Sequence, residues 1–427
     1  MLKREINDYL TRTGPGTPMG ALFRRYWHPA LLASELPGPD CPPVRVRLLS
    51  ERLVAFRDSA GRPGLVGEFC AHRGASLWFG RNEEGGLRCP YHGWKYDVTG
   101  ACTELPSEPE DSGLRARVRL TSYPLVERGG VLWTYMGPPE HRPPPPEWEF
   151  ATVPATHSYT SKRLQFCNWL QALEGGIDSS HVSFLHRDGL LSDPLMRGSP
   201  GTAYNLRDLR PVFEVAEHPA GLFIGVRRNA EPGQHYWRIT PWCLPAATMI
   251  PPRGDHPVHG HFWVPIDDEN CWAWSYDYHP TRALTAAERA AMEDGKGIHT
   301  KVDPVSFIPL ANKFNDYLID RAAQREGRSF SGVAGIAMQD ASLQESMGPI
   351  ADRTTETLTS TDNGIIMARN LLLRAARGLE AGTPPPGTGP EAQHIRSAAL
   401  LLAEGVAFAE AAAEALRVRA GTRHASV

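Results

Sequence analysis

Two stretches of the chain carry metal-ligating side chains at spacings that chemistry can use. The first reads Cys70-Ala71-His72-Arg73-Gly74, then Cys89-Pro90-Tyr91-His92-Gly93-Trp94. The pattern is Cys-x-His, sixteen residues, then Cys-x2-His. Each half offers one thiolate and one imidazole. Such a set binds zinc as Cys2His2, or a [2Fe–2S] cluster with two thiolates on one iron and two imidazoles on the other. Gly74 and Gly93 lack a Cβ and let each loop turn sharply around a metal. Four unrelated buried residues is the competing reading.

The second stretch, Asp178-Ser179-Ser180-His181-Val182-Ser183-Phe184-Leu185-His186, contains Asp-x2-His-x4-His. Histidines five apart point about 140° apart on an ideal helix. One regular turn therefore cannot bring both to one ion. Either the helix ends or distorts between them, or they are not co-ligands. Gly175-Gly176 just upstream points to a departure from regular helix. The competing reading is a helix with polar residues in solvent or packed core histidines.

The elements around these stretches follow from texture. Residues 2–27 read as one or two short helices broken by Gly14-Pro15-Gly16. From Val44 the chain looks like short strands separated by Gly and Pro, which predicts an all-β module. The tract from Pro138 to Pro146 reads as a stiff linker. Beyond it, Phe166 to Leu185 reads as helix. Strands follow at Phe213–Val215, Leu222–Val226 and Tyr236–Ile239, with a hairpin of Gly260–Val264 and Cys271–Tyr278 around Asp267-Asp268-Glu269-Asn270. Thr285-Ala286-Ala287-Glu288 is a capping box. Ile365–Ala376 and Ala398–Val418 read as helices, the latter a candidate assembly element. The fold class is α+β, with a β module over 1–145 and a sheet-plus-helix domain over 146–427.

Composition sets limits. The 427 residues allow two or three domains. Hydrophobic residues at 41% and charged residues at 22% argue against disorder. A net charge of −3 leaves no footprint for nucleic acid. No run of apolar residues is long enough to span a membrane. The N-terminus lacks a secretory pattern, and seven cysteines make no disulfide framework. A cytoplasmic protein is the expectation. Cys41, Cys102, Cys167, Cys243 and Cys271 read as small buried hydrophobes. The aromatic run through His261, Phe262 and Trp263 and the alternating Trp272, Trp274, Tyr276 and Tyr278 read as sheet core.

The stretch from Cys70 to Tyr96 resembles the Rieske iron–sulfur motif. Followed by Asp-x2-His-x4-His, it makes nearly the whole chain similar to the Rieske non-haem iron oxygenases, nearest to the phthalate-dioxygenase-like group. The stretch from Gln339 to Ile350 supports this. The resemblance implies a Rieske [2Fe–2S] domain on Cys70, His72, Cys89 and His92, then a helix-grip domain with iron(II) on His181, His186 and a distant carboxylate. That carboxylate is Asp340 by the family pattern, with Glu345 as its rival. Asp178 is implied to bridge a mononuclear-site histidine and a cluster histidine of the neighbouring subunit. Glu174 stands where some relatives tend to carry Asn.

The implied protein is a terminal oxygenase forming a homotrimer or a hexamer of stacked trimers. No Gly-x-Gly-x-x-Gly turn is present, so NADH and flavin belong to a separate flavin/iron–sulfur reductase. The implied substrate is a carboxylated aromatic of phthalate or benzoate type, hydroxylated with O2. O-demethylation of a methoxylated aromatic acid is the alternative. Arg207, Arg210, Arg228 and Arg238 are candidate carboxylate clamps. Arg238 faces a pocket if Trp237 and Ile239 pack outward. A zinc-stabilised ligand-binding protein is the reading from another class.

Overall fold

The computed structural model describes all 427 residues. The chain opens on α1 (Arg4–Thr11) and α2 (Pro18–Phe23). The Gly14-Pro15-Gly16 break between them is as the sequence predicts. Thr17 caps α2 by accepting from the Gly20 N–H, and Pro18 takes the first helical position. Short strands between Trp27 and Tyr135 then form three antiparallel sheets of three, four and four strands. The Pro-rich tract carries one 3₁₀ turn, Pro139–His141.

The rest of the chain builds on one antiparallel sheet. Its strands are β1 (Ser158–Gln165), β2 (Val212–His218), β3 (Gly221–Asn229), β4 (Gln234–Cys243), β5 (Ala247–Ile250), β6 (Val258–Pro265), β7 (Cys271–Tyr278) and β8 (Ala398–Ala403). The order is β1-β7-β6-β5-β4-β3-β2, with β8 pairing β4. β6 and β7 form the expected hairpin, and Asp267 Oδ1 accepts from the Glu269 and Asn270 N–H groups at its tip. Helices α3 (Trp169–Ile177), α4 (Pro200–Arg207), α5 (Ala286–Glu293), α6 (Ile336–Ser346) and α7 (Asn363–Glu380) surround the sheet. α5 starts at the Thr285–Glu288 capping box. α7 buries Ala368, Leu371, Leu372, Ala375 and Ala376, a stripe at helical spacing.

One apolar core joins the N-terminal strands to the sheet. Phe262 on β6 meets Trp133 at 5.3 Å and Trp148 at 5.4 Å between ring centroids. Phe23 on α2 meets Trp169 on α3 at 4.7 Å. Strand alternation then turns His259, His261 and Trp263 to the other face. A smaller separate core, with Val54, Phe56, Leu77, Leu87, Trp94 and Tyr96, encloses Cys70 and Cys89.

The C-terminal section differs from expectation. Ala398–Ala403 is a strand, not helix, and the following helical piece is only Phe408–Ala411. β5 pairs only the end of β4, at Trp242 and Cys243. The edge from Gln234 to Ile239 would stay open without β8, which pairs it residue for residue. Ladder bonds and burial of Ala398 and Ala399 outweigh the helix propensity of an Ala-Leu run. The long C-terminal assembly helix is therefore absent.

A buried ionic cluster fastens this section. Glu149 accepts from Arg396 Nε at 2.9 Å and Tyr278 Oη at 2.9 Å, and it lies 3.2 Å from His424 Nε2. Burial pushes the Glu149 carboxyl up, but His424 and Arg396 outweigh it and hold the pKa at about 2. The folded value lies below the ordinary carboxylate value, about 4.3. This stabilisation is therefore complete above that ordinary value and drains away as pH falls towards the folded value. Glu149→Gln should lower the urea midpoint at pH 7, and the gap to wild type should narrow as pH drops to about 3. A gap independent of pH would show that the carboxylate charge plays no part.

Candidate metal centres and substrate cavity

The two Cys/His loops are built alike. The Cys70 N–H donates to the Ala75 carbonyl at 2.9 Å, and the Gly74 N–H returns to the Cys70 carbonyl at 2.9 Å. In the second loop the Cys89 N–H donates to the Trp94 carbonyl at 2.8 Å, and the Gly93 N–H to the Cys89 carbonyl at 2.9 Å. Gly74 and Gly93 sit at φ +73° and +77°, the left-handed region where glycine is favoured. The thiols are buried and the imidazoles lie outward, with His72 exposed. His72 Nδ1 and His92 Nδ1 approach to 3.1 Å, and Trp94 stacks on His72 at 4.6 Å. Tyr96 Oη accepts from the Ala71 N–H and lies 3.2 Å from Cys70 Sγ. Burial pushes the Cys89 thiol up, with Cys70 adding to it, so Cys89 ionises best against a cation. Two deep thiols and two paired outer imidazoles fit a [2Fe–2S] cluster.

The second centre lies where α3 ends. Asp178 is the C-terminal cap of α3, and its carboxylate accepts from the Ser180 N–H and Oγ at 2.7 Å. A 3₁₀ turn, His181–Ser183, follows. The change of helix type between the histidines removes the 140° obstacle. His181 Nε2 lies 3.2 Å from His186 Nε2. Asp340 Oδ1 on α6 lies 3.0 Å from His186 Nε2 and 3.5 Å from His181 Nε2. The other ring nitrogens are held: His181 Nδ1 at 3.0 Å from Asp178 Oδ2, and His186 Nδ1 at 2.9 Å from Gln339 Oε1. Both acceptors fix the proton on Nδ1 and leave Nε2 as a lone-pair donor. Two neutral nitrogens and one carboxylate oxygen converging on one point fit a divalent iron. Glu345 is engaged elsewhere, with Tyr317 Oη at 2.7 Å and the Phe166 N–H at 3.2 Å.

Comparison with known proteins bears on both centres. Residues 26–124 match the Rieske [2Fe-2S] domain, and residues 134–418 match the family described as LigXa C-terminal domain like. The chain is 38% identical over 402 residues to the 3-chlorobenzoate-3,4-dioxygenase oxygenase subunit of Comamonas testosteroni, covering 91% of this chain and 92% of that one. It is 38% identical over 404 residues to the phthalate 4,5-dioxygenase oxygenase subunit of Pseudomonas putida, covering 92% and 90%. The chain belongs to the Rieske non-haem iron oxygenases. The fold is also that of dicamba monooxygenase bound to dicamba, at TM-score 0.58 and 19% identity, covering 84% of this chain and 98% of that one. As a Rieske oxygenase it uses a [2Fe–2S] cluster and a mononuclear iron. No helix is long and apolar enough to cross a membrane.

A cavity opens beside the oxygenase's two histidines and Asp340. Trp237 and Ile239 pack against Ala398, Phe408 and Leu416, so Arg238 points inward, as alternation predicts. Arg238 donates from Nη1 to Ser179 Oγ at 3.2 Å, and no carboxylate pairs with it. Arg253, also lining the cavity, reaches only Thr202 Oγ1 at 3.2 Å. Burial, with Arg253 adding to it, lowers the Arg238 pKa to about 9. Arg163 on β1 completes the cavity cations.

Arg207 and Arg210 do not belong to this set. Both are exposed, and Arg207 donates to the Ala230 carbonyl at the surface. Arg207 ends α4 at the surface, and Arg210 lies beyond the helix. Arg228 is buried but holds the Ser179 carbonyl at 2.8 Å and the Asp208 carbonyl at 3.2 Å, behind the cavity wall. Sequence reasoning missed Gln339, Arg253, Arg163 and His261. Gln339 and Arg163 carried a signal: one adjoins Asp340, the other alternates on a strand. Reading the aromatic run as core holds for Phe262, Trp274, Tyr276 and Tyr278, whereas His261 and Trp263 line the cavity.

Three further residues near the site acquire reasons. Glu174 accepts from Arg353 Nη2 at 2.8 Å and Arg369 Nε at 2.7 Å, so two guanidinium groups demand a carboxylate there. Gly175 and Gly176 lie within α3, contrary to the expectation that they break it. They serve close packing: a Cβ on Gly176 would sit 2.1 Å from the Trp263 ring, and one on Gly175 2.1 Å from Gln344 Nε2. Gly176→Ala should therefore cost about 1–3 kcal/mol by urea unfolding, although alanine is the better helix former by about 1 kcal/mol. A stabilised variant would show that Trp263 gives way freely.

Proposed function

We propose that the protein is the terminal oxygenase of a system fed by a separate NADH-dependent flavin/iron–sulfur reductase, acting on an aromatic carboxylic acid of phthalate or benzoate type. The observation that carries the substrate class is the pair Arg238 and Arg253, buried at the cavity wall without a carboxylate partner. An unpaired buried charge costs several kcal/mol, and an aromatic carboxylate supplies the missing partner. The relatives named for 3-chlorobenzoate and phthalate support the same class.

Cys70 and Cys89 hold one iron of the cluster, and His72 and His92 the other. His181, His186 and Asp340 hold iron(II). When bound, the cluster supplies electrons singly and the iron supplies the site of O2 reduction. The protein's own work is positioning. Arg238 and Arg253 orient the acid beside the triad, Trp263 closes the wall, and Asp178 keeps the His181 ring in one tautomer. Asp178 lines both this cavity and an outward groove with Glu174, Gly175 and Met347. That placement supports a bridging role towards a cluster histidine of a neighbouring subunit. The loop tips support such docking. Tyr91 packs against His92 and is 58% exposed, and Phe79 of the same module is 65% exposed, apolar surface that a trimer, or two stacked trimers, would cover. Seven unbridged cysteines support a cytoplasmic location.

The assignments separate by metal analysis. Purified protein should hold about three irons and about two acid-labile sulfides per chain. Cys70→Ala or Cys89→Ala should abolish the red-brown colour and spare the mononuclear iron. His181→Ala, His186→Ala or Asp340→Ala should do the reverse. Asp178→Ala should keep the cluster and much of the iron yet lose most turnover. Stoichiometric zinc without sulfide would sink the reading.

Substrate class is tested by product analysis with reductase, NADH and a panel of aromatic acids, their amides and methoxyarenes. Arg238→Ala should lower kcat/KM for the acid about 30–150-fold and barely touch its neutral amide. Preference for neutral methoxyarenes, with Arg238→Ala silent, would favour O-demethylation in an apolar pocket instead.

A further inference from the structure

His261 is the cavity residue whose polar group the oxygenase chemistry leaves unused. Its Nδ1 side is fully specified. The Trp274 carbonyl lies at 3.2 Å and Ser275 Oγ at 3.2 Å. Ser275 gives its own proton to the Ile298 carbonyl at 3.0 Å, and Arg163 Nη1 donates to Ser275 Oγ at 3.4 Å. The serine oxygen therefore faces His261 as an acceptor. Two acceptors on Nδ1 place the ring proton there. Nε2 is left with a bare lone pair. Burial first, and then the Arg163 charge, hold the ring's pKa down to about 3, so it takes no second proton near neutrality. No protein donor meets Nε2, and the side chain's 7% exposure belongs to a residue of the cavity lining.

The three arginines of the cavity, Arg163, Arg238 and Arg253, are of the opposite sense and offer only donors. Arg238 on β4 offers donors to the same cavity, and the register through Thr248 and Trp242 places it four residues further along the sheet than His261. We infer that His261 Nε2 accepts a hydrogen bond from a ring hydroxyl, making it a specificity-determining residue for a hydroxybenzoate-type acid. The inference rests on the proposed carboxylate clamp at Arg238 and Arg253. A methoxy oxygen has no proton to give Nε2. A second carboxylate there, as in a diacid, would set its lone pairs against that of the ring.

Calorimetry on the anaerobic, iron-loaded holoprotein tests this without turnover. The ligands are 3- and 4-hydroxybenzoate, benzoate, the matching methoxybenzoates, phthalate and benzamide. One hydroxybenzoate should bind about tenfold tighter than benzoate and its methoxy counterpart. In His261→Leu that ratio should fall to about one, and His261→Gln, whose amide oxygen can accept, should restore part of it. Benzamide binding as well as benzoate would overturn the carboxylate reading itself. Benzoate preferred over benzamide, but with no gain from the hydroxyl, would overturn this inference alone. So would phthalate as the tightest ligand, or a ratio unchanged in His261→Leu.

Discussion

An imidazole serves a metal well only when its second ring nitrogen already has a partner, and that constraint organises the region around the triad. Asp178 and Gln339 take the Nδ1 protons of His181 and His186, so both Nε2 lone pairs point to one place. Each partner is fixed in turn. Gln339 Nε2 donates to the Val333 carbonyl at 3.1 Å, which sets the direction of its oxygen. Asp178 is held by Ser180 and ends α3. One carboxylate thus terminates a helix, shapes the turn that follows and orients a ring. Its pKa is held near 2 because the His181 bond and the Ser180 N–H outweigh its burial. It therefore stays an acceptor across the working range.

The cavity wall obeys the contrary rule. Most buried charges in this chain are paired: Glu149 with Arg396, and Glu174 with Arg353 and Arg369. Arg163, Arg238 and Arg253 at the cavity, and Arg228 behind its wall, are not, although each is 7% exposed or less. Breaking the pairing rule at one concave place is what a site selected for a ligand looks like, since it trades folded stability for binding. The paired clusters hold the frame that keeps those guanidinium groups apart from any carboxylate of the chain itself.

What the sequence disclosed follows from how local each feature is. The Cys/His loops were legible because each pair lies within four residues and the loop bonds run within six. The capping box, the β6–β7 hairpin and α7 were legible for the same reason. The triad was half legible: the spacing of His181 and His186 posed a geometric problem that only the break after Ile177 resolves, and Asp340 entered by family resemblance alone. The closeness of Arg207 and Arg210 to the strands in sequence says nothing of the side on which the end of α4 and the loop after it present them. Arg253 and His261 point into the cavity because of sheet register and curvature, properties of eight strands together. The Ala398–Ala403 strand was misread because its reason for being a strand is the open edge of β4, far away in sequence.

Two buried arginines, Arg238 facing the cavity and Arg228 behind its wall, also hold the turn that carries His181. Arg228 donates to the Ser179 carbonyl and Arg238 to Ser179 Oγ, one residue from Asp178. A guanidinium group has five donors, and Arg238 uses one, on Nη1. Nη2 and Nε remain for a bidentate contact, so a carboxylate can be held without releasing Ser179. Arg238 and the His181 turn are thus one mechanical unit. On the proposed function, a carboxylate drawn to Arg238 would meet a group whose position is already fixed by the turn that aims His181. The placement of such an acid relative to the triad would then be set by the fold and not by the mobility of a long side chain.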